Sequence, residues 1–130
     1  MRKTLGRPVT APAPVRDEAQ ILAKATVRAA DLLHLSSADL ARIVGLSEAS
    51  VSRLRAGQFE LQRGTKPFEL AVLLVRLFRA LDAMTGGDEA SRSWLQGQNL
   101  ALAARPIDLI TSISGLVQLI QYVDTRRAVL

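Results

Sequence analysis

Residues 36–57 read SSADLARIVGLSEASVSRLRAG, and their residue types indicate both a local structure and a task. Apolar side chains repeat at helical spacing before Gly45 and again after Ser47, which predicts two short helices. Ser36 and Ser47 suit helix N-caps, and Gly45 suits the positive φ of a sharp turn between the helices. Two short helices joined in this way form a helix-turn-helix, whose second helix enters a DNA major groove.

The outward face of the second helix is small and polar, with one long cation at its centre. With Val51 and Leu54 turned inward, a rotation of about 100° per residue places Arg53 in the middle of this face. A guanidinium pairs bidentately with a guanine edge, so Arg53 is the candidate base reader, while serines and flanking arginines suit phosphates. The candidate DNA-contacting residues are Arg42, Ser47, Glu48, Ala49, Ser50, Ser52, Arg53 and Arg55. The alternative is an ordinary packed helix pair with a solvated polar face.

Composition favours a helical core and allows an anionic partner. The 130 residues suit one domain or two small ones, and 48% of them are hydrophobic although only five are aromatic. Leu, Ala, Val and Ile must therefore build the core, which favours helices. The net charge of +5 permits binding to a polyanion without proving it.

The residue types also argue against catalysis by this chain. It has no cysteine and one histidine, and neither its carboxylates nor its glycines form a metal-ligand or phosphate-binding motif. His34 suits a surface or capping position. We expect no enzyme activity, no metal and no cofactor. The N-terminus lacks the apolar run of a signal peptide, so a cytoplasmic protein is expected.

Three segments follow from the pattern along the chain. Residues 1–15 contain three prolines and no apolar period, which indicates a flexible arm that either touches DNA or is simply disordered. Residues 16–64 form the predicted helix-turn-helix domain, opened by a long helix over about 17–35. Residues 65–130 form a second, small helical domain. The predicted fold class is all-α.

Residues 68–84 are apolar nearly all round. Arg76 and Arg79 interrupt this run, which also falls short of the roughly 20 residues that a bilayer requires, so no membrane partner is expected. A helix that is hydrophobic on every side is buried on every side. In so short a chain, a second copy would supply part of the cover, which predicts a homodimer. The alternative is a helix wrapped within one subunit.

The C-terminal half carries a recognisable set of residues. W-L-x-x-x-N-x-x-L-x-x-x-P-x-D-L-I spans residues 94–110, and S-x-x-G-L-x-x-L-I-x-Y-V-D spans residues 112–124, with chain breaks expected at 97–99 and 112–115. From about Leu22 onward, the chain resembles the Xre/MbcA/ParS antitoxins of RES-type toxin–antitoxin systems. The residues that carry the C-terminal resemblance are Trp94, Leu95, Asn99, Pro106, Asp108, Leu109, Gly115, Val117, Tyr122 and Asp124.

Two positions depart from the family pattern. A glycine pair often precedes the proline, but residues 103–105 are Ala-Ala-Arg here. Arg127 replaces the glycine that usually follows the last arginine. Both departures concern the part of the chain that would contact a toxin.

The resemblance implies a protein with two binding faces. The N-terminal half would bind operator double-stranded DNA, and the C-terminal half would bind a RES-domain toxin that depletes NAD and would close its active site. The implied toxin-binding residues are Tyr122, Asp124, Arg126, Arg127, Val129 and Leu130. Two alternatives remain open: a dimeric repressor without a toxin partner, and a scaffold protein whose helix-turn-helix no longer binds DNA.

Overall fold

A computed structural model describes the backbone of residues 13–129 and the side chains of residues 18–127. These residues form seven helices and no strand, which confirms the all-α prediction. The helices are α1 Ala13–Leu32, α2 Ser37–Val44, α3 Glu48–Arg55, α4 Lys66–Thr85, α5 Asp88–Gln96, α6 Pro106–Leu109 and α7 Ile113–Val129.

Helix α1 begins and ends earlier than the predicted range of 17–35. Its early start is compatible with Pro14, because a proline in the first helical turn removes an N–H that has no intrahelical partner. The chain leaves the helix through His34, whose φ of 58° is left-handed. His34 is exposed there, as expected of a capping residue. The rest of the predicted arm, residues 1–12, lies outside the described residues.

The predicted helix-turn-helix is present as α2 and α3. The Ser36 hydroxyl accepts a hydrogen bond from the Asp39 N–H at 3.0 Å, and Ser47 caps α3 in the same way. Gly45 turns the chain with a φ of 73°. The apolar residues of both helices face inward and are at most 6% exposed: Leu40, Ala41, Ile43, Val44, Val51 and Leu54.

Helix α4 is the centre of the fold. Thr65 caps it, Pro67 lies in its first turn, and α1, α2, α5 and α7 pack around it. Its buried residues are Leu70, Ala71, Leu74, Val75, Leu77, Ala80 and Leu81. Four helices of the same chain cover α4, so a second copy is not needed for this cover, and the helix is wrapped within one subunit. Val72, at 42%, is the one large apolar residue of α4 that is exposed. No described helix could cross a bilayer.

The C-terminal helices differ from prediction at two places. Gly115 lies inside α7 and does not break it; a Cβ there would lie 2.0 Å from the Leu109 carbonyl oxygen, so glycine is required by the close approach of α6. The break falls instead just before Ile113, where the Ser112 hydroxyl accepts the Gly115 N–H at 3.1 Å. Helix α7 continues from Ile113 as far as Val129.

Candidate functional site

The first residues of α3 form a short chain of hydrogen bonds on the surface. The Ser47 hydroxyl accepts the Ser50 N–H and donates to the Ser50 hydroxyl, both at 3.1 Å. The Ser50 hydroxyl in turn accepts from Arg53 Nη2 at 3.0 Å. Glu48, Ala49 and Ser52 are exposed beside these hydrogen-bonded residues. The structure therefore brings the predicted polar face together on one side of a capped helix.

Arg53 is exposed and held from two sides. Its guanidinium bonds to Ser50, and its Cζ lies 5.7 Å from the centre of the Phe59 ring in a cation–π contact. Phe59 follows the turn at Gly57, where φ is 76°. These contacts orient the guanidinium without burying it. A long side chain that is already oriented loses less conformational freedom when it binds a ligand.

Arg55 has a different environment from the one expected of a flanking phosphate contact. Its guanidinium donates to Asp31 Oδ1 at 2.5 Å, to Ser37 Oγ at 3.2 Å and to the Leu35 carbonyl at 3.3 Å. Its side chain is only 26% exposed. Arg55 therefore ties α3 to the end of α1 and the start of α2, and its role is to position the recognition helix.

Arg42 lies on α2 and pairs with Asp39 one turn earlier. The two charged groups are 2.5 Å apart, while the Arg42 side chain is 63% exposed. Such an exposed pair contributes little to stability, because water screens it. Arg42 thus remains available at the surface next to α3, as a phosphate contact requires.

The predicted toxin-contacting residues of α7 fall into two groups. Tyr122 stacks on Trp94 of α5, with ring centres 6.3 Å apart, and Arg126 lies over the Tyr122 ring at 5.7 Å. Asp124 instead pairs with Arg76 of α4 at 3.2 Å and with Arg127 at 3.8 Å. Val129 ends α7 and its side chain lies outside the described residues, as does all of Leu130.

A polar cluster joins the end of α4 to α5. Ser91 is fully buried and donates to Asp82 Oδ1 at 2.7 Å, and its hydroxyl lies 2.7 Å from that of Thr85. The side-chain hydrogen bond with Asp82 is the main reason why the pKa of Asp88 is raised above its ordinary value of 3.8. Partial removal from water and the negative charge of Asp82 add to this rise, and Arg92 opposes it.

Helical spacing in the sequence did not predict several of the contacts that hold these elements together. Phe59 contacts Arg53 from six positions away, whereas Arg76 and Arg92 contact much more distant parts of the chain. Arg92, for example, donates to the Leu32 carbonyl at the end of α1 at 2.8 Å. A cation at a helix C-terminus is a general signal. However, Arg92 lies on another helix, so the sequence did not reveal that pairing.

Two family models match the chain. One ends near the middle of α4 and the other begins in the second half of that helix. The antitoxin Xre-like helix-turn-helix domain matches residues 14–76, and the antitoxin Xre/MbcA/ParS C-terminal toxin-binding domain matches residues 80–128. The chain belongs to the Xre/MbcA/ParS antitoxin family. No curated protein sequence matches this antitoxin.

The family fits the two surfaces described above. The antitoxin carries α2 and α3 within the matched helix-turn-helix region, and α5, α6 and nearly all of α7 within the matched toxin-binding region. It is a non-enzymatic regulatory protein of a toxin–antitoxin system. Among the side chains of residues 18–127, no three histidine, aspartate or glutamate groups cluster closely enough to hold a metal ion.

Proposed function

We propose that this antitoxin neutralises a RES-domain toxin that depletes NAD, and that it represses its own operon by binding operator DNA in the cytoplasm. The observation that carries the proposal is a capped, exposed α3 with an oriented Arg53, on the same chain as a C-terminal region that matches a toxin-binding family. Residues 16–64 would serve DNA binding and residues 65–130 would serve toxin binding and dimerisation.

Neutralisation would use the C-terminal end of α7. Arg126 and Arg127 are exposed in its last turn, so this end of the antitoxin is cationic at the surface. Two guanidiniums can pair with carboxylates or occupy a pocket that serves an anionic cofactor. We therefore propose that Tyr122, Asp124, Arg126 and Arg127, followed by Val129 and Leu130, enter the active-site cleft of the toxin.

A rescue experiment tests the toxin half of the proposal. The reading frame adjacent to that of the antitoxin is expressed alone and then together with the antitoxin, while growth and cellular NAD are followed. Expression alone should stop growth and lower NAD, and co-expression should restore both. A harmless neighbour would instead favour a repressor without a toxin partner.

Operator binding is tested by titrating the DNA upstream of the operon at several salt concentrations. Each phosphate that the protein neutralises releases roughly one counterion, so the affinity should fall steeply as salt rises. Expression of a reporter from the same promoter should fall when the antitoxin is present. A flat salt dependence or an unaffected reporter would contradict autorepression.

We also propose a homodimer. Its support is an exposed apolar surface, since α4 itself is covered by helices of the same chain. Ile21 of α1 is 65% exposed and lies with Val72 along one groove between α1, α4 and α7, where an apolar surface remains available to a second copy. A two-fold dimer would place its two α3 helices about 34 Å apart, one turn of DNA. Analytical ultracentrifugation should show a dimer that Ile21→Glu converts to a monomer, whereas a wild-type monomer would contradict it.

A further inference from the structure

The loop between α5 and α6 presents an apolar side chain to solvent. Leu100 is 94% exposed, more than the other exposed large apolar residues among the described side chains. Burying such a side chain is favourable by about 1.5–3 kcal/mol, so full exposure of a leucine leaves that gain unused in the free chain. A single exposed leucine is common on protein surfaces. Its setting makes this one different.

The loop that carries Leu100 is closed by four hydrogen bonds. Asn99 and Ala104 exchange two backbone bonds, at 3.1 and 3.3 Å, and the Asn99 side chain accepts the Leu102 N–H at 3.2 Å. The Ala103 N–H donates to the Leu100 carbonyl at 3.2 Å, although Ala103 has a left-handed φ of 57°. A strained non-glycine residue persists where its surroundings over-determine it. The loop therefore holds Leu100 outward in a defined position.

A surface hollow lies directly beside Leu100. Trp94, Asn99, Tyr122 and Arg126 line it together with Leu100, and no carboxylate is among its lining residues. Trp94 and Tyr122 are half-buried and stack on each other, and Arg126 covers the tyrosine ring. Tryptophan, tyrosine and arginine are the residues that most often dominate binding energy at protein interfaces.

We propose that Leu100 and this hollow form a second anchor for the toxin, which adjoins the C-terminal end of α7 and shares Tyr122 and Arg126 with it. The hollow would receive an apolar side chain of the toxin that has a carboxylate next to it, since Arg126 is the charged group that lines the hollow. This inference rests on the proposed toxin partner and adds the surface and the chemistry that it must match.

Two observations favour the toxin as the occupant over a second copy of the chain. The whole surface falls within residues 80–128, the region that matches the toxin-binding family. It also continues onto Tyr122 and Arg126, which lead to the end of α7. A two-fold contact through this surface would instead bring the arginines of two copies together, and like charges at an interface are unfavourable.

The test measures binding of the full-length antitoxin to the purified product of the adjacent reading frame by calorimetry. Leu100→Ser should weaken binding by more than about 10-fold, the size of effect typical of an interface anchor. Its melting temperature should stay unchanged, because a 94% exposed side chain leaves no cavity when it is shortened. Hydrogen exchange should show that residues 97–104 become protected in the complex.

Ile113→Ser is the matched control. Ile113 is an aliphatic residue of the same domain and is 48% exposed, and nine residues at about 100° each place it about 180° around α7 from Tyr122. This variant should bind like the wild type. If the wild type forms the complex and Leu100→Ser binds equally well, the anchor is wrong while the proposed function stands. If the wild type forms no complex, both are overturned.

Discussion

Two arginines on α3 have the same side chain but different environments, and we expect them to have different roles. Arg53 and Arg55 are separated by one residue, yet one faces solvent and the other bonds to Asp31, Ser37 and Leu35. The first can contact a ligand, whereas the second already uses three of its five N–H donors within the protein. Substituting each by alanine should therefore produce different losses.

Arg53→Ala should weaken operator binding by about 1–3 kcal/mol, because it removes the candidate contact to a guanine edge. Stability should hardly change, since the side chain is exposed. A binding titration with operator and unrelated DNA measures the effect. Arg105→Ala, which removes an exposed cation far along the chain, controls for the loss of net charge. An equal effect of both variants would leave Arg53 without a specific role.

Arg55→Ala should lower the free energy of unfolding by about 1.5–3 kcal/mol, the typical value for hydrogen bonds to a charged group. Its partners come from three places in the chain, and the Leu35 carbonyl would lose a donor. Urea denaturation measures the loss. Because the Arg42 pair is solvent-exposed, Arg42→Ala serves as the control and should shift the urea midpoint much less.

Ala103 is a residue whose backbone conformation suits glycine better. Its φ of 57° is left-handed, and it stands in the segment where the family often has glycines. Ala103→Gly should stabilise the protein by about 0.5–1 kcal/mol, because the relief of left-handed strain exceeds the entropy that glycine adds to the unfolded chain. Thermal unfolding should show a higher midpoint. The same change at Ala101, whose φ is not positive, should not raise it.

At the scale of the elements, α5 is held by polar contacts as well as by apolar packing. Ser91 is buried but satisfied by Asp82, and Leu95 is the fully buried apolar residue of this helix. Asp88 begins the helix beside Asp82, so two carboxyl groups share one small region. Protonation of Asp88 is therefore easier in the folded protein than in the unfolded chain, and its pKa is raised.

Stability should depend on pH through Asp88. A folded-state pKa above the ordinary 3.8 means that this group stabilises the fold below that pH and that the contribution is lost as the pH rises through the raised value. Asp88→Asn cannot ionise, so its stability relative to the wild type should increase between about pH 3.5 and about pH 7. Urea titrations at both pH values measure this difference. A difference that is the same at both pH values would contradict this role of Asp88.

At the scale of the whole molecule, α4 joins the two binding surfaces. Two of the helices that pack against it, α1 and α2, precede it in the chain, and the other two, α5 and α7, follow it. A change at one surface therefore need not disturb the other, provided that α4 stays covered. Val123 is the last fully buried described residue of α7, so the residues after Asp124 are not needed for this cover.

Deletion of residues 126–130 should abolish protection against the toxin while operator binding is retained. The deletion removes both exposed guanidiniums at the end of α7 but leaves the Arg76–Asp124 pair and the buried residues in place. Growth rescue and operator titration of the same variant measure the two activities. Full protection by the truncated chain would show that the end of α7 does not block the toxin.

Local sequence signals were sufficient for the helix-turn-helix. Capping serines, the left-handed glycine at position 45 and apolar spacing act within a few residues, so α2, α3 and the exposure of Arg53 were predicted correctly. The start of α4 also carries a local signal, the proline in its first turn.

Other features depended on contacts between distant residues. Four helices of one chain cover α4, Arg55 reaches Asp31 across 24 positions, and Gly115 is required by the Leu109 carbonyl rather than by a chain break. Amphipathic spacing states which faces are apolar but not which neighbour covers them. The sequence by itself therefore determined the helices and their caps. Only the tertiary structure decided which side chains are used internally and which, like Leu100, remain available to a partner.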